Sequence, residues 1–148
     1  MTRRAVAVRW SDVAAEVVPL YRDVADPEVV ARFHVDGDPT SKERPRRGKG
    51  DRFYTPAATK EAEHAVGWSF RQQIGPMIPD GSSRFGVHLA LHCRGAGHGR
   101  DVDNMAKLVL DGLTGVLWVN DRQVSELSGV RLQQQDNPRA EVIVYRVA

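Results

Sequence analysis

Acidic side chains suited to metal binding are concentrated in the segment from Asp101 to Asp121. Asp101 and Asp103 are separated by one residue, Lys107 follows them, and Asp121 ends the segment. Carboxylates are hard oxygen ligands of the kind that Mg²⁺ and Mn²⁺ prefer, and no cysteine or histidine lies among them to favour zinc. The segment therefore predicts a site for Mg²⁺ or Mn²⁺.

Whether Asp101 and Asp103 can act together depends on the backbone between them. Side chains two residues apart point about 200° away from each other in a helix but share one face of an extended segment. We therefore expect extended chain as far as Asp103 and a helix that begins immediately after it. Asp103 would then be the N-cap, where backbone N–H groups and the helix dipole keep a carboxylate ionised. The helix is indicated by apolar residues at helical spacing, namely Met105, Leu108, Val109, Gly112, Leu113 and Val116.

The opposite face of this helix has two interpretations. Asp103, Lys107 and Asp111 follow one another at intervals of four residues. Lys107 could serve chemistry at the metal site, or it could simply form an ion pair with Asp103 that contributes about 0.3–0.5 kcal/mol. An aspartate before a helix is also commonly only a cap. A cap alone does not account for a second carboxylate, a lysine one turn later and a third carboxylate after the helix.

Two stretches of the chain resemble a known family of nucleases. The run RDVDNMAKLVLDGLTGVLWVNDRQV is similar to the signature of the RusA family of Holliday junction resolvases, and DGDPTSKERPRRGKGDRFYTP is similar to the family's Pro-rich basic segment. The resemblance covers roughly residues 30–148, and residues 1–29 form an N-terminal extension without a recognisable motif. It implies that Asp101, Asp103 and Asp121 are catalytic metal ligands and that Lys107 is catalytic. Many members have Asp-Asp where this chain has Asn120-Asp121.

The resemblance also implies a function. It predicts an endodeoxyribonuclease that uses Mg²⁺, with Mn²⁺ as a substitute, to resolve four-way DNA junctions by paired hydrolysis during recombination and repair. Two strands must be cut and each chain has one site, so a homodimer is expected. The alternatives are a non-catalytic protein that binds branched DNA and a less selective metal-dependent nuclease. Aspartyl phosphatases and glycosyltransferases also use Asp-x-Asp, but in other sequence contexts.

Positive charge is concentrated just upstream, in residues 41–52. The whole chain has a net charge of +2, whereas this one stretch has six cations and two carboxylates. It is suited to following a phosphate backbone, although a solvated loop is the alternative. We predict that DNA is bound by Lys42, Arg44, Arg46, Arg47, Lys49 and Arg52, together with Arg100.

Periodicity predicts an α/β (α+β) domain with a mixed sheet of about four strands and flanking helices, in the order β-α-β-α-β-β. The predicted strands cover residues 29–35, 85–93, 123–132 and 139–147, and a helix covers residues 57–74. The last two strands are expected to pair as a hairpin across the polar turn QQQDNP. Trp118 and the single cysteine, Cys93, are expected in the core, and zinc binding by His88, His92 and Cys93 is not favoured. We expect a cytoplasmic prokaryotic or phage protein, with no membrane span and no small-molecule cofactor.

Overall fold

The computed structural model describes residues 28–43, 45–95 and 101–147. Residues 1–27 of the predicted N-terminal extension (residues 1–29), and Arg44 and Arg100 among the predicted DNA-binding residues, lie outside these ranges. Residues 28 and 29 of that extension belong to the first strand. These ranges contain six strands and two α-helices, namely β1 (Glu28–Asp36), β2 (Arg46–Arg47), β3 (Phe53–Tyr54), α1 (Ala57–Gln73), β4 (Arg84–His92), α2 (Val102–Leu113), β5 (Val124–Leu132) and β6 (Arg139–Val147). The predicted α+β class is confirmed, and the short β2–β3 hairpin within the basic segment is an addition to the predicted order.

Four strands form one mixed sheet in the order β1-β6-β4-β5. β6 is antiparallel to both β1 and β4, whereas β5 is parallel to β4. Parallel neighbours need a crossover connection, and α2 provides it between β4 and β5. The predicted hairpin of the last two strands is therefore wrong. β6 is buried from Ala140 to Tyr145 and takes a central position, while alternate residues of β5 are exposed, as expected of an edge strand.

Both helices pack on one face of the sheet. Their apolar side chains meet Leu89 and Leu91 of β4 and Val142 and Val144 of β6 in a single core. Every member of the predicted apolar stripe from Met105 to Val116 is buried, and so are Trp118 and Cys93. This packing holds α2, and with it the predicted catalytic segment, against a rigid sheet.

The two helices approach each other closely at Gly112. A Cβ atom placed there would lie 2.7 Å from Val66 Cβ and 2.8 Å from the Glu63 carbonyl oxygen on α1. Only glycine fits without moving one helix. On α1 itself Val66 and Phe70 are buried, whereas Trp68 is 63% exposed and Ile74, which follows the helix, is 44% exposed.

The face of the sheet opposite the helices contains buried polar side chains. His88 Nδ1 lies 2.6 Å from Ser128 Oγ, and His92 Nε2 lies 3.3 Å from Glu141 Oε2. Arg139 Nε donates to Glu141 Oε1 at 2.6 Å. Burial lowers the pKa of His88 to about 4, so this ring is neutral at physiological pH. These histidines therefore have structural partners. No helix within the described residues is long and apolar enough to cross a membrane.

Candidate active site

Helix α2 begins two residues earlier than predicted. Asp101 is the N-cap, with extended backbone angles of φ −80° and ψ 135°, and the Met105 N–H donates to its carbonyl oxygen at 3.0 Å. The prediction that Asp103 caps the helix is therefore wrong, because the first helical hydrogen bond already starts at Asp101. Asp103 lies in the first turn, where the helix dipole still favours a negative charge.

Asp101 and Asp103 nevertheless face one pocket. Its other lining residues include Gly129 and Arg131 of β5 and Gln133, which follows that strand. The extended conformation of Asp101 turns its side chain towards the same space as the first turn of α2. In the part of the chain that the structure describes, no hydrogen bond or ion pair engages either carboxylate. Both are exposed and available to a cation.

Lys107 does not pair with Asp103. Its Nζ donates to Asp121 Oδ2 at 2.8 Å and lies 3.7 Å from Asp111 Oδ1. The hydrogen bond from Lys107 is the main cause that lowers the pKa of Asp121, and the same bond raises the pKa of Lys107. The pair is therefore fully charged at neutral pH.

Asp121 lies in a one-turn 3-10 helix (Asp121–Gln123) that side chains of the same segment hold in place. Asn120 Oδ1 caps it by accepting from the Arg122 N–H at 2.9 Å. Asparagine and aspartate are about equally good caps, so Asn120 has a local structural role that an aspartate could also fill.

Gln123 fixes the segment to the rest of the fold. Its Oε1 accepts from the N–H groups of Val119 at 3.1 Å and Asn120 at 3.0 Å. Its Nε2 donates to the carbonyl oxygens of Asp80 at 2.8 Å and Ser83 at 3.0 Å. The side-chain amide of Gln123 therefore accepts two hydrogen bonds and donates two, which is its full capacity, and these bonds hold the segment that contains Asp121.

The three predicted metal ligands do not form one cluster. Among the described residues, no three His, Cys, Asp or Glu side chains lie close enough together to hold a metal ion. Asp101 and Asp103 share a pocket, whereas Asp121 is bound to Lys107. Mg²⁺ commonly keeps several waters and is held by one or two carboxylates together with substrate phosphates. The chemistry of the Asp101–Asp103 pair therefore fits such a site.

The basic segment meets the site through Lys42. The Lys42 N–H donates to the Asn104 carbonyl oxygen of α2 at 3.2 Å, and its Nζ binds Asp111 Oδ2. The other described cations of the segment, namely Arg46, Arg47, Lys49 and Arg52, are exposed on or beside the β2–β3 hairpin. The sequence did not predict a role at the site for Asp111 or Gln123. Only the position of Asp111, four residues after Lys107, indicated that these two side chains could meet.

The chain also matches a known protein family. The family model described as endodeoxyribonuclease RusA matches residues 36–145, a range that includes both the basic segment and the candidate active site. No curated protein matches the chain significantly.

Proposed function

The chain belongs to the RusA endodeoxyribonuclease family, and from this premise we propose that it is a Mg²⁺-dependent enzyme that resolves four-way DNA junctions. The observation that carries the proposal is the pocket shared by Asp101 and Asp103 at the start of α2. Among the described residues neither carboxylate has a hydrogen bond or an ion pair, and two such carboxylates form an anionic site that favours a divalent cation. Lys107 lies one turn along the same helix and supplies a positive charge nearby.

The residues divide the chemistry between them. Asp101 and Asp103 would hold the cation, which supplies an activated water and neutralises charge on the leaving 3′ oxygen. Lys107 would stabilise negative charge that develops on the phosphate in the transition state. Asp121 orients Lys107 through their 2.8 Å hydrogen bond, and it would join the metal ligands once substrate and cation are bound.

DNA binding is assigned to the basic segment and Arg100. Arg46 and Arg47 lie in the β2–β3 hairpin, where exposed guanidinium groups can neutralise DNA phosphates and release their counterions. A junction presents two strands to be cut, so a homodimer would bring two such sites to one substrate. The proposed biological role is recombination and repair.

A junction-binding protein without nuclease activity is the second candidate. The observation that favours it is that Asp121 is bound to Lys107 instead of joining Asp101 and Asp103. The two candidates share the basic segment and differ in whether a phosphodiester bond is broken.

Cleavage of a labelled four-way junction separates the candidates. The parent protein is incubated with the junction, or with linear duplexes of the same arms, in Mg²⁺ or in EDTA. We expect paired nicks in the junction only, and only with Mg²⁺. Binding of the junction without nicks in Mg²⁺ or Mn²⁺ would support the non-catalytic candidate, and equal cutting of the linear duplexes would indicate a less selective nuclease.

A further inference from the structure

Asp111 is shared by two lysines from different parts of the chain. Its Oδ1 lies 3.7 Å from Lys107 Nζ, and its Oδ2 is bound by Lys42 Nζ. The Asp111 side chain is only 20% exposed, so water screens these contacts less than it would at an open surface. The two ammonium groups approach the two oxygens of one carboxylate and are therefore neighbours.

Lys42 differs from the other cations of the basic segment. Its side chain is 27% exposed, compared with 65% for Arg46. Its backbone is fixed by the hydrogen bond to Asn104, and the next residue, Glu43, donates its N–H to Thr59 Oγ1 of α1 at 3.3 Å. Lys42 is therefore held against both helices, whereas Arg46 can follow a flexible substrate.

We propose that Lys42 is a second phosphate-binding ammonium group of the active site, beside Lys107, and that Asp111 is the positioning residue for both. The inference rests on the proposed nuclease function. Asp111 holds the two lysines ready before substrate arrives, so that little reorganisation is needed when charge develops on the scissile phosphate. Asp121 differs from Asp111 in this respect, because its ion pair within the described residues is with Lys107.

Two substitutions test the proposal, Lys42→Gln and Asp111→Asn. The rate of junction cleavage is measured in a single turnover with saturating enzyme, and the Kd for the junction is measured separately in EDTA. Loss of a preorganised donor costs about 10²–10³ in rate, so each variant should cut about a hundredfold more slowly. Its Kd should change by less than about threefold, because the exposed cations of the basic segment still bind the junction. Lys42→Arg should recover part of the rate, because it restores the positive charge.

Matched variants separate this role from a structural one. Glu63→Gln removes a neighbouring carboxylate of α1 whose pKa is affected by burial and by the charges of Asp111 and Lys42. In the described part of the chain Glu63 has no hydrogen bond or ion pair with either lysine, so this variant should cut at the parent rate. Arg46→Gln removes an exposed cation and should raise the Kd for the junction. Thermal unfolding of each variant verifies that it is folded.

The outcomes distinguish failure of the inference about Lys42 and Asp111 from failure of the proposed nuclease function. Parent-like saturating rates for Lys42→Gln and Asp111→Asn, with the parent active, would overturn the inference alone. So would a loss of rate in Glu63→Gln equal to that in Asp111→Asn, because it would show a general electrostatic or packing effect. A parent protein that binds the junction and never cuts it would overturn the proposed function, and the inference with it.

Discussion

Gln123 is expected to support both the fold and the position of Asp121, and Gln123→Glu tests this most selectively. The substitution keeps the shape of the side chain and the Oε1 acceptor for the N–H groups of Val119 and Asn120. It replaces the Nε2 donor with an oxygen that faces the carbonyl oxygens of Asp80 and Ser83. Two hydrogen bonds are lost, and two pairs of like partial charges are brought together.

The size of the effect follows from those contacts. Each hydrogen bond contributes about 0.5–1.5 kcal/mol net, so losing two should lower the free energy of unfolding by about 1–3 kcal/mol. For a domain of this size, 1 kcal/mol corresponds to roughly 4 °C in Tm, so we expect Tm to fall by about 4–12 °C. Because the 3-10 helix then loosens, the rate of junction cleavage should fall as well.

Thermal and urea unfolding measure the first effect, and single-turnover cleavage measures the second. Gln72→Glu is the matched control, since it makes the same chemical change at an exposed position of α1. Surface substitutions of this kind usually change stability by less than about 0.5 kcal/mol. If Gln123→Glu is as stable and as active as Gln72→Glu, the assignment of Gln123 as the anchor of this segment is refuted.

Three further predictions concern other parts of the molecule. Burial lowers the pKa of His88 to about 4 from 6.5, so the free energy of unfolding should be highest above pH 6.5 and fall by up to about 3 kcal/mol as the pH is lowered to about 4. His88→Gln should lose this component in urea unfolding at the two pH values, and an unchanged pH dependence would contradict it. Gly112→Ala should destabilise the fold by about 1–3 kcal/mol, because the added Cβ atom would collide with α1. Gly129→Ala is the control and should cost less than about 1 kcal/mol, because an added Cβ atom there has its nearest neighbours at 3.4 Å. Equal losses of stability in urea unfolding would refute the close helix contact. Lys107→Ala should lower the cleavage rate about 10²–10³-fold. It should cost less than about 1 kcal/mol of stability, because the ion pair between Lys107 and Asp121 is partly exposed. A cleavage rate equal to that of the parent would exclude Lys107 from the mechanism.

Local patterns in the sequence predicted most of the elements of this fold. The helical spacing from Met105 to Val116 identified the buried face of α2 because that helix has a single strongly apolar side. The strand bounds also agree to within two residues. The pairing of the strands was harder to predict from the sequence. The short polar turn between β5 and β6 favours a hairpin locally, but β6 is buried on both faces and lies between β1 and β4.

The candidate site was predictable in its residues but not in its contacts. The acidic and basic residue types indicated Asp101, Asp103 and Lys107, yet spacing along the helix suggested Asp103 as the partner of Lys107. Asp121 is the partner of Lys107 instead, because the loop after α2 returns alongside the helix. Such a tertiary contact cannot be predicted from the spacing of residues along the helix. Lys42 was predicted as one of several equivalent cations, and only the packing of its segment on α2 distinguishes it.

The proposal that Asp101 and Asp103 hold the catalytic cation is tested most directly by the cleavage rate of Asp103→Asn. The rate on a labelled four-way junction is measured in a single turnover over a range of Mg²⁺ concentrations. Glu61→Gln, which changes an exposed carboxylate of α1, is the control. We predict that Asp103→Asn binds the junction with a Kd within about threefold of the parent and cuts it at least about 10³-fold more slowly at every Mg²⁺ concentration. Cleavage by Asp103→Asn at the rate of the parent and of Glu61→Gln would contradict this proposal and would mean that the chemistry takes place elsewhere in the chain.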